Sequence, residues 1–436
     1  MAQKCFLMVL LFFGIYTLKA QVYSLEQCID IAIKNNFQLK QEILKSDYKE
    51  QELQFQKNVQ KPVLSSQINN GLSSGFQQVF SGNFVGEYKS VQSYANQGSL
   101  DFSMNIWNKN AQQIKIESEK INVKIAQLAI ENQKFSLSLE VMAKFYNVLI
   151  AKERLKIAEQ IYTNRKNQFE KEERLYKVGQ ISLSKLNNNK VYLIQDQQNL
   201  QNEKNNYDRS KLELAIILQI SHKNELEVLD EAPNSTFETI NFEKQSKRDF
   251  RNFPRIKLEE EKLKYTENEV KFLKTRYYPK MGFNYRIGTS AQQVFEFPNL
   301  TFPEQYRNNL FQTASLSLNI PIYSQGNNNV RLQQAKINQQ IQLVVIDEQK
   351  TLINNEIETI LFEIKSNHKM YLLAVENEEQ SKLQYDFNLK NYELGKINLY
   401  ELNISRDNYV LAGLKKIQSK YEVLFKQKQL ALYPLN

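Results

Sequence analysis

The segments YKVGQISLSKLN (176–187) and YELGKINLYELN (392–403) are two copies of one motif, identical at six of their twelve positions. Each copy follows a long stretch with helical apolar spacing and precedes another, and each places a glycine, Gly179 or Gly395, at the same position. Glycine adopts the left-handed conformation that ends a helix without steric cost. The motif therefore predicts two helical hairpins whose chains reverse at Gly179 and Gly395.

The repeat extends over the whole chain at a spacing of 216 to 217 residues, since Pro62 aligns with Pro279 and Gly71 with Gly288. The order of helix, two strands, long helix, glycine turn and helix is thereby written twice. The predicted organisation begins with a secretory signal peptide at 1–20. A first repeat follows at 21–232, with a β-hairpin at about 62–108 and the tip of its helical hairpin at 179. The second repeat occupies 233–436, with a β-hairpin at about 279–323 and the tip of its helical hairpin at 395.

Long helices are indicated by composition and by heptad spacing. The 436 residues include only 12 glycines and 8 prolines, so turns are few. Apolar residues repeat every seven positions at Leu186, Leu193, Leu200, Tyr207 and Leu214, which is coiled-coil patterning. A helix over about 108–178 would span roughly 105 Å and needs partner helices along its length. Shorter helices are predicted from Phe37 and from Ile256, each ending before a proline.

Strands of about ten residues are predicted on either side of the loops 73–97 and 291–313. Leu100, Phe102, Met104 and Ile106 alternate with polar residues, and Met281 to Ile287 show the same pattern. That length and alternation suit strands with lipid on one side and water on the other. The alternative is a pair of hairpins packed on a soluble core. Four strands cannot close a barrel, so a membrane location requires two copies with eight strands or three copies with twelve.

Composition argues against several classes of function. The formal net charge is +9, but Lys and Glu interleave along the helices, which is typical of solvated coiled-coil faces and not of a nucleic-acid site. The two histidines, His222 and His368, show no metal spacing, and no Cys-x-x-Cys, P-loop or Gly-x-Gly-x-x-Gly motif is present. We therefore expect no enzyme activity, no cofactor and no nucleic-acid partner.

The chain resembles the TolC family of outer membrane efflux proteins. The resemblance rests on YSLEQCIDIAIKNN (23–36), on NIPIYSQG (319–326) and on the paired hairpin tips. It implies a mainly α fold with a small β part. Long antiparallel coiled-coil helices form an α-barrel, and four strands per subunit contribute to a trimeric transmembrane β-barrel. It also implies a location in the Gram-negative cell outer membrane with a long periplasmic part.

The resemblance further implies partners and site residues. The partners are outer membrane lipid, a second and third copy in a homotrimer, a periplasmic adaptor (membrane fusion protein) and an inner membrane transporter. The tips that dock the adaptor correspond to Val178, Gly179, Gln180, Leu394, Gly395 and Lys396. The pore constriction corresponds to Lys185, Tyr392 and Glu401, where Lys185 departs from the acidic residue of the family and Ile404 and Ile397 replace a second acid and an arginine.

The predicted function is therefore a passive outer membrane channel of a tripartite export system for small molecules. Two alternatives stay open at this stage. One is a type I protein-secretion conduit of the same family, and the other is a secreted structural scaffold of coiled-coil helices. The sequence does not encode what passes through, because substrate choice in such systems lies with the inner membrane transporter.

Overall fold

A computed structural model describes residues 21–79, 86–220, 226–230, 252–295 and 301–433 of the chain. The predicted signal peptide at 1–20 and the predicted boundary between the repeats at 232/233 lie outside the described residues.

Helices make up most of the described chain and include two of 67 residues each. In chain order they are α1 Leu25–Asn35, α2 Phe37–Asn58, α3 Ala111–Lys177, α4 Leu183–Leu218, α5 Pro254–Thr275, α6 Phe302–Asn308, α7 Asn327–Glu393 and α8 Leu399–Leu432. Among the helices that the structure describes, none has a stretch long and apolar enough to cross a membrane. The prediction of a mainly α chain with a small β part and long helical hairpins is confirmed.

The strands form two sheets. In chain order they are β1 Gln21–Tyr23, β2 Val63–Val79, β3 Glu87–Trp107, β4 Leu226–Val228, β5 Lys280–Val294 and β6 Phe311–Asn319. Four of them form an antiparallel sheet in the order β2-β3-β5-β6, so β2 and β6 are its edges. The remaining pair, β1 and β4, is a short parallel sheet that the sequence did not predict.

The first hairpin is longer than predicted, so the expectation of a loop over 73–97 is wrong. Strand β2 continues to Val79 and β3 begins at Glu87, with Ser73 opposite Ser93 and Gln78 opposite Tyr88. This part is rich in Ser, Gln and Asn and lacks the regular apolar face by which a strand is predicted. The strands nevertheless pair here, because the hydrogen bonds between them are made by backbone groups. Residues 80–85 of the predicted loop lie outside the described residues. The loop predicted over 291–313 contains the end of β5, the short helix α6 and the start of β6.

The described residues fall into two compact units, which we call the helical unit and the sheet unit. The helical unit comprises described residues within 1–42, 130–254 and 349–436, and the sheet unit those within 43–129 and 255–348. The helices α2, α3 and α7 contribute residues to both units.

The core of the helical unit is built where α1 packs with α3, α4 and α8. A capping box, in which Ser24 and Gln27 exchange hydrogen bonds, begins α1 and sets its register. Cys28 and Ala32, one turn apart on this helix, are fully buried. They join a cluster whose largest buried members include Met142, Leu214 and Tyr421.

The sheet unit combines the four-stranded sheet with most of α2 and α5 and with the parts of α3 and α7 that belong to it. Val270 and Leu273 of α5 pack on Ala335 of α7. Side-chain amides also reach across helices here, since Gln342 Nε2 donates to Glu259 Oε2 at 2.8 Å. Helix α6 packs against β5, where Gln305 Oε1 accepts the Gln292 backbone N–H at 2.8 Å.

Candidate site at the helical hairpin turns

The two hairpin turns predicted from the repeated motif have the same backbone. Gly179 has φ +77° and Gly395 has φ +72°, both in the left-handed region. The amide N–H of the next residue closes each turn, with Gln180 donating to the Leu175 carbonyl at 2.9 Å and Lys396 to that of Asn391 at 2.8 Å. This is the Schellman arrangement, in which glycine at the turn lets the last helical carbonyls find donors.

The residues next to each glycine are presented to solvent. The exposed fraction of Val178 is 69%, and that of Leu394 is also 69%. Gln180 and Lys396 are exposed as well. Each turn thus exposes one apolar side chain directly before its glycine.

Side-chain caps begin the returning helices and place two of the predicted constriction residues at equivalent positions. Ser182 Oγ accepts the Lys185 backbone N–H at 3.3 Å, and Asn398 Oδ1 accepts that of Glu401 at 3.0 Å. Asn398 Nδ2 also donates to Glu401 Oε1 at 3.0 Å. A carboxylate in the first turn interacts favourably with the helix dipole, whereas the lysine at the matching position does not.

Tyr392 lies at the centre of a buried contact between the two hairpins. Its hydroxyl donates to Glu172 Oε1 at 2.8 Å, and the Nδ2 of Asn189 donates to the other oxygen of the same carboxylate. Glu172, Asn189 and Tyr392 are all buried. Lys185 Nζ lies 4.9 Å from the centre of the Tyr392 ring, a cation–π contact. Of the predicted constriction residues, the structure therefore brings together Lys185 and Tyr392.

Burial, followed by the hydrogen bond to the Glu172 carboxylate, raises the pKa of Tyr392 above that of an exposed phenol. The phenol consequently keeps its proton throughout the physiological range. It therefore remains a hydrogen-bond donor to Glu172 in this range.

A second buried polar cluster, which we call the arginine network, joins α3, α4 and α8. Arg165 Nε donates to Asp196 Oδ2 at 3.0 Å, and its Nη2 donates to Asn403 Oδ1 at 2.7 Å. Arg406 Nη1 reaches the same Asp196 oxygen at 2.7 Å. The exposed fractions of the Arg165 and Asp196 side chains are only 2% and 4%. The Tyr192 ring covers the Arg165 guanidinium at 5.4 Å.

Sequence reasoning missed Glu172, Asn189 and the arginine network. A signal for part of them was present, because Asn189 and Asp196 are seven residues apart on α4, and Asn403 stands seven residues before Val410 on α8. Polar residues at heptad core spacing often fix the register of packed helices. No sequence pattern paired them with Arg165 or Glu172, which are distant in the chain.

The sequence matches the model of one protein family. A family model described as "Outer membrane efflux protein" matches residues 28–218 and 252–433. Among curated proteins, a search finds no match to this sequence.

Solved structures show the same fold at low sequence identity. The CmeC outer membrane channel of Campylobacter jejuni superposes with a TM-score of 0.78 at 17% identity, covering 94% of this chain and 84% of that one. The outer membrane protein VceC of Vibrio cholerae gives 0.74 at 11% identity, with coverage of 93% and 94%. The open state of the MtrE outer membrane channel of Neisseria gonorrhoeae gives 0.70 at 15% identity, with coverage of 94% and 88%.

Proposed function

Because the chain belongs to the outer membrane efflux protein family, we propose that three copies form a passive channel through the outer membrane. The channel would carry small molecules outward as part of a tripartite export system. A periplasmic adaptor and an inner membrane transporter would complete the system, and the transporter would supply the energy. The chain itself would perform no chemistry.

The four-stranded sheet is the observation that carries this proposal. One of its faces presents exposed apolar side chains, among them Leu64, Leu72 and Leu316 with exposed fractions of 72%, 78% and 63%. The other face is polar, with residues such as Ser65, Asn284 and Ser317. A sheet with an apolar outer face and a polar inner face suits a wall between lipid and water.

The edges of this sheet support oligomerisation. Strands β2 and β6 each have a neighbour on one side only. Unpaired backbone donors and acceptors at such edges are strongly disfavoured in hydrocarbon. Joining β6 of one copy to β2 of the next satisfies them, and three copies close a cylinder of twelve strands, which exceeds the minimum of about eight for a barrel.

Helix α7 adds independent support for a neighbour. Within the sheet unit, Val330, Ile337, Ile341 and Val344 are spaced by seven, four and three residues, so they share one helix face. Each is more than half exposed in the single chain. An apolar helical stripe of this kind is typical of a surface that another subunit covers.

Cell fractionation and mass measurement test the proposal. We expect the protein to fractionate with the outer membrane, to require detergent for extraction, to have the mass of a trimer and to form ion-conducting channels in planar bilayers. A monomer that stays in aqueous buffer would contradict the proposal and favour a coiled-coil scaffold. Channels that restore secretion of a protein substrate, but not efflux of a small molecule, would favour the protein-secretion conduit.

We assign adaptor docking to the two turns, that is, to Val178, Gly179, Gln180, Leu394, Gly395 and Lys396. The support is that both turns have one backbone geometry and both present an apolar side chain to solvent. A helical partner with a small apolar groove fits such a tip.

We assign the pore constriction to Lys185, Tyr392 and Glu401. Tyr392 holds the two hairpins together through Glu172, while Glu401 is exposed and close to the turn. In a trimer, three Glu401 carboxylates near one axis would repel each other and attract cations.

We expect Glu401→Gln to lower the preference of the channel for cations over anions by about twofold or more, because it removes three charges from the narrowest part. The glutamine retains an acceptor for Asn398, so the cap of α8 is kept. Reversal potentials in a salt gradient across a planar bilayer measure the effect. Glu393→Gln, an exposed glutamate on the other side of the turn, serves as the control. Equal reversal potentials for Glu401→Gln and the unchanged protein would remove Glu401 from the constriction.

A further inference from the structure

A cleft of about 400 Å³ lies within the helical unit, between α3, α7 and α8. Its volume falls in the range of small-molecule sites, roughly 300 to 1,000 Å³. The residues that matter for its chemistry are Ile157, Ile161, Gln168, Tyr385, Tyr409 and Gly413. We infer that this cleft binds an uncharged, planar aromatic molecule that carries a hydrogen-bond acceptor. The inference goes beyond the proposed conduit, because it concerns binding within the helices and does not require transport.

Two tyrosines give the cleft an aromatic wall. The rings of Tyr385 on α7 and Tyr409 on α8 are stacked, with centroids 6.1 Å apart and planes within 11° of each other. Burial raises the pKa of Tyr385, so its phenol is neutral. Flat aromatic ligands gain from offset or edge contacts with such rings and from the isoleucine side chains beside them.

Gly413 keeps the cleft open. It lies in the interior of α8 and is buried, yet it does not have a positive φ. A Cβ added there would meet Ile157 Cδ1 at 3.6 Å and Glu378 Oε1 at 3.9 Å, which are ordinary contacts. Glycine destabilises a helix interior relative to alanine, and neither backbone nor packing demands it at this position. The missing side chain instead widens the cleft.

Gln168 supplies a donor without a partner. Its Nε2 is buried and makes no hydrogen bond within the part of the chain that the structure describes. A buried amide N–H left unpaired is unfavourable. Gln168 lines the cleft, and rotation of its amide toward the cleft would let an acceptor on a ligand, such as a carbonyl oxygen, satisfy this donor.

Charge balance argues for an uncharged ligand. Arg165 and Arg406 border the cleft, but two carboxylates already pair with them: Asp196 binds both guanidinium groups, and Asp407 binds Arg406 at 2.9 Å. Glu378 is paired with Lys416 at 2.7 Å. A charged ligand would lose its hydration without finding a free countercharge among these groups.

Fluorescence titration of the full chain, purified in detergent, with 7-methoxycoumarin tests the inference. This probe is planar and uncharged and has a lactone carbonyl. We expect a saturable signal above that of empty micelles. Gly413→Leu should weaken binding at least tenfold because leucine fills the cleft, and it should fold because leucine favours a helix. Gln168→Leu should weaken binding severalfold. Tyr400→Leu, an exposed tyrosine on the same helix, should bind as the unchanged chain does.

The absence of a saturable signal would overturn the inference, as would equal affinity in the unchanged chain and Gly413→Leu. If Gly413→Leu loses helical circular dichroism, Gln168→Leu and Tyr409→Leu decide in its place. A negatively charged coumarin acetate that binds as tightly as 7-methoxycoumarin would overturn the requirement for an uncharged ligand. None of these readouts involves export, so failure of this inference and failure of the proposed conduit are distinguishable.

Discussion

Gly395→Val should abolish export, with a loss of at least tenfold, while trimers still reach the outer membrane. Gly395 has φ +72°, a conformation that costs a β-branched residue on the order of 1–2 kcal/mol or more. The space around it is open, so the strain is relieved by reshaping the turn. Leu394 and Lys396 would then be displaced from the surface that we propose for the adaptor. Efflux of a fluorescent dye from cells that depend on this channel measures the result.

Two further variants separate turn geometry from general damage. Gly326→Val introduces the same strain, since Gly326 has φ +77° and empty surroundings, but it lies before α7 and away from the hairpin turns in the chain. It should export normally. Gly395→Asn should lose less activity than Gly395→Val, because asparagine tolerates the left-handed region. Normal export by Gly395→Val would contradict the docking role of this turn.

Asp196→Ala should lower the free energy of unfolding of the helical unit by about 3–5 kcal/mol. Asp196 accepts hydrogen bonds from both Arg165 and Arg406, and the Arg165 side chain is almost fully buried. Removing the carboxylate leaves a buried guanidinium without its countercharge. Loss of helical circular dichroism on heating or in denaturant measures the effect on the purified protein.

An exposed ion pair between α3 and α7 provides the control. Lys171 and Glu393 lie 3.0 Å apart, with more than half of each side chain exposed. Breaking this pair with Glu393→Ala should cost about 1 kcal/mol or less, because solvent screens exposed charges. If Asp196→Ala and Glu393→Ala unfold alike, the arginine network does not stabilise the unit. Replacing Arg165 and Asp196 together by Met and Leu should recover much of the stability, since no buried charge of the Arg165–Asp196 pair then remains.

The features that could be predicted from the sequence are those that depend on residues close together in the chain. Gly179 and Gly395 mark the turns because each helix ends in a residue with the left-handed conformation, which glycine adopts most easily. The capping box that begins α1 is also local, because Ser24 and Gln27 stand three residues apart in the chain. The repeat then set the order of elements, and the long helix predicted over about 108–178 matches α3, Ala111–Lys177, within a few residues at each end.

The features that could not be predicted from the sequence depend on contacts between residues distant in the chain. Glu172 looks like one of many surface glutamates on α3, and only the approach of Tyr392, 220 residues away in the chain, makes it a buried acceptor. The part of β2 and β3 within 73–97 was missed because it is rich in Ser, Gln and Asn and has no regular apolar face that would indicate a strand. The cleft at Gly413 likewise arises from three helices and has no sequence signature beyond one glycine in a helix.

The equivalent positions of Lys185 and Glu401, on identical capped turns, have an evolutionary consequence. A channel assembled from six copies of a half-length ancestor would carry the same residue at all six turns, so any mutation would change every turn at once. In the trimer that we propose, fusion of two halves into one gene would divide those turns into two sets of three. One set can then acquire a lysine while the other keeps its glutamate, and natural selection can act on each set separately.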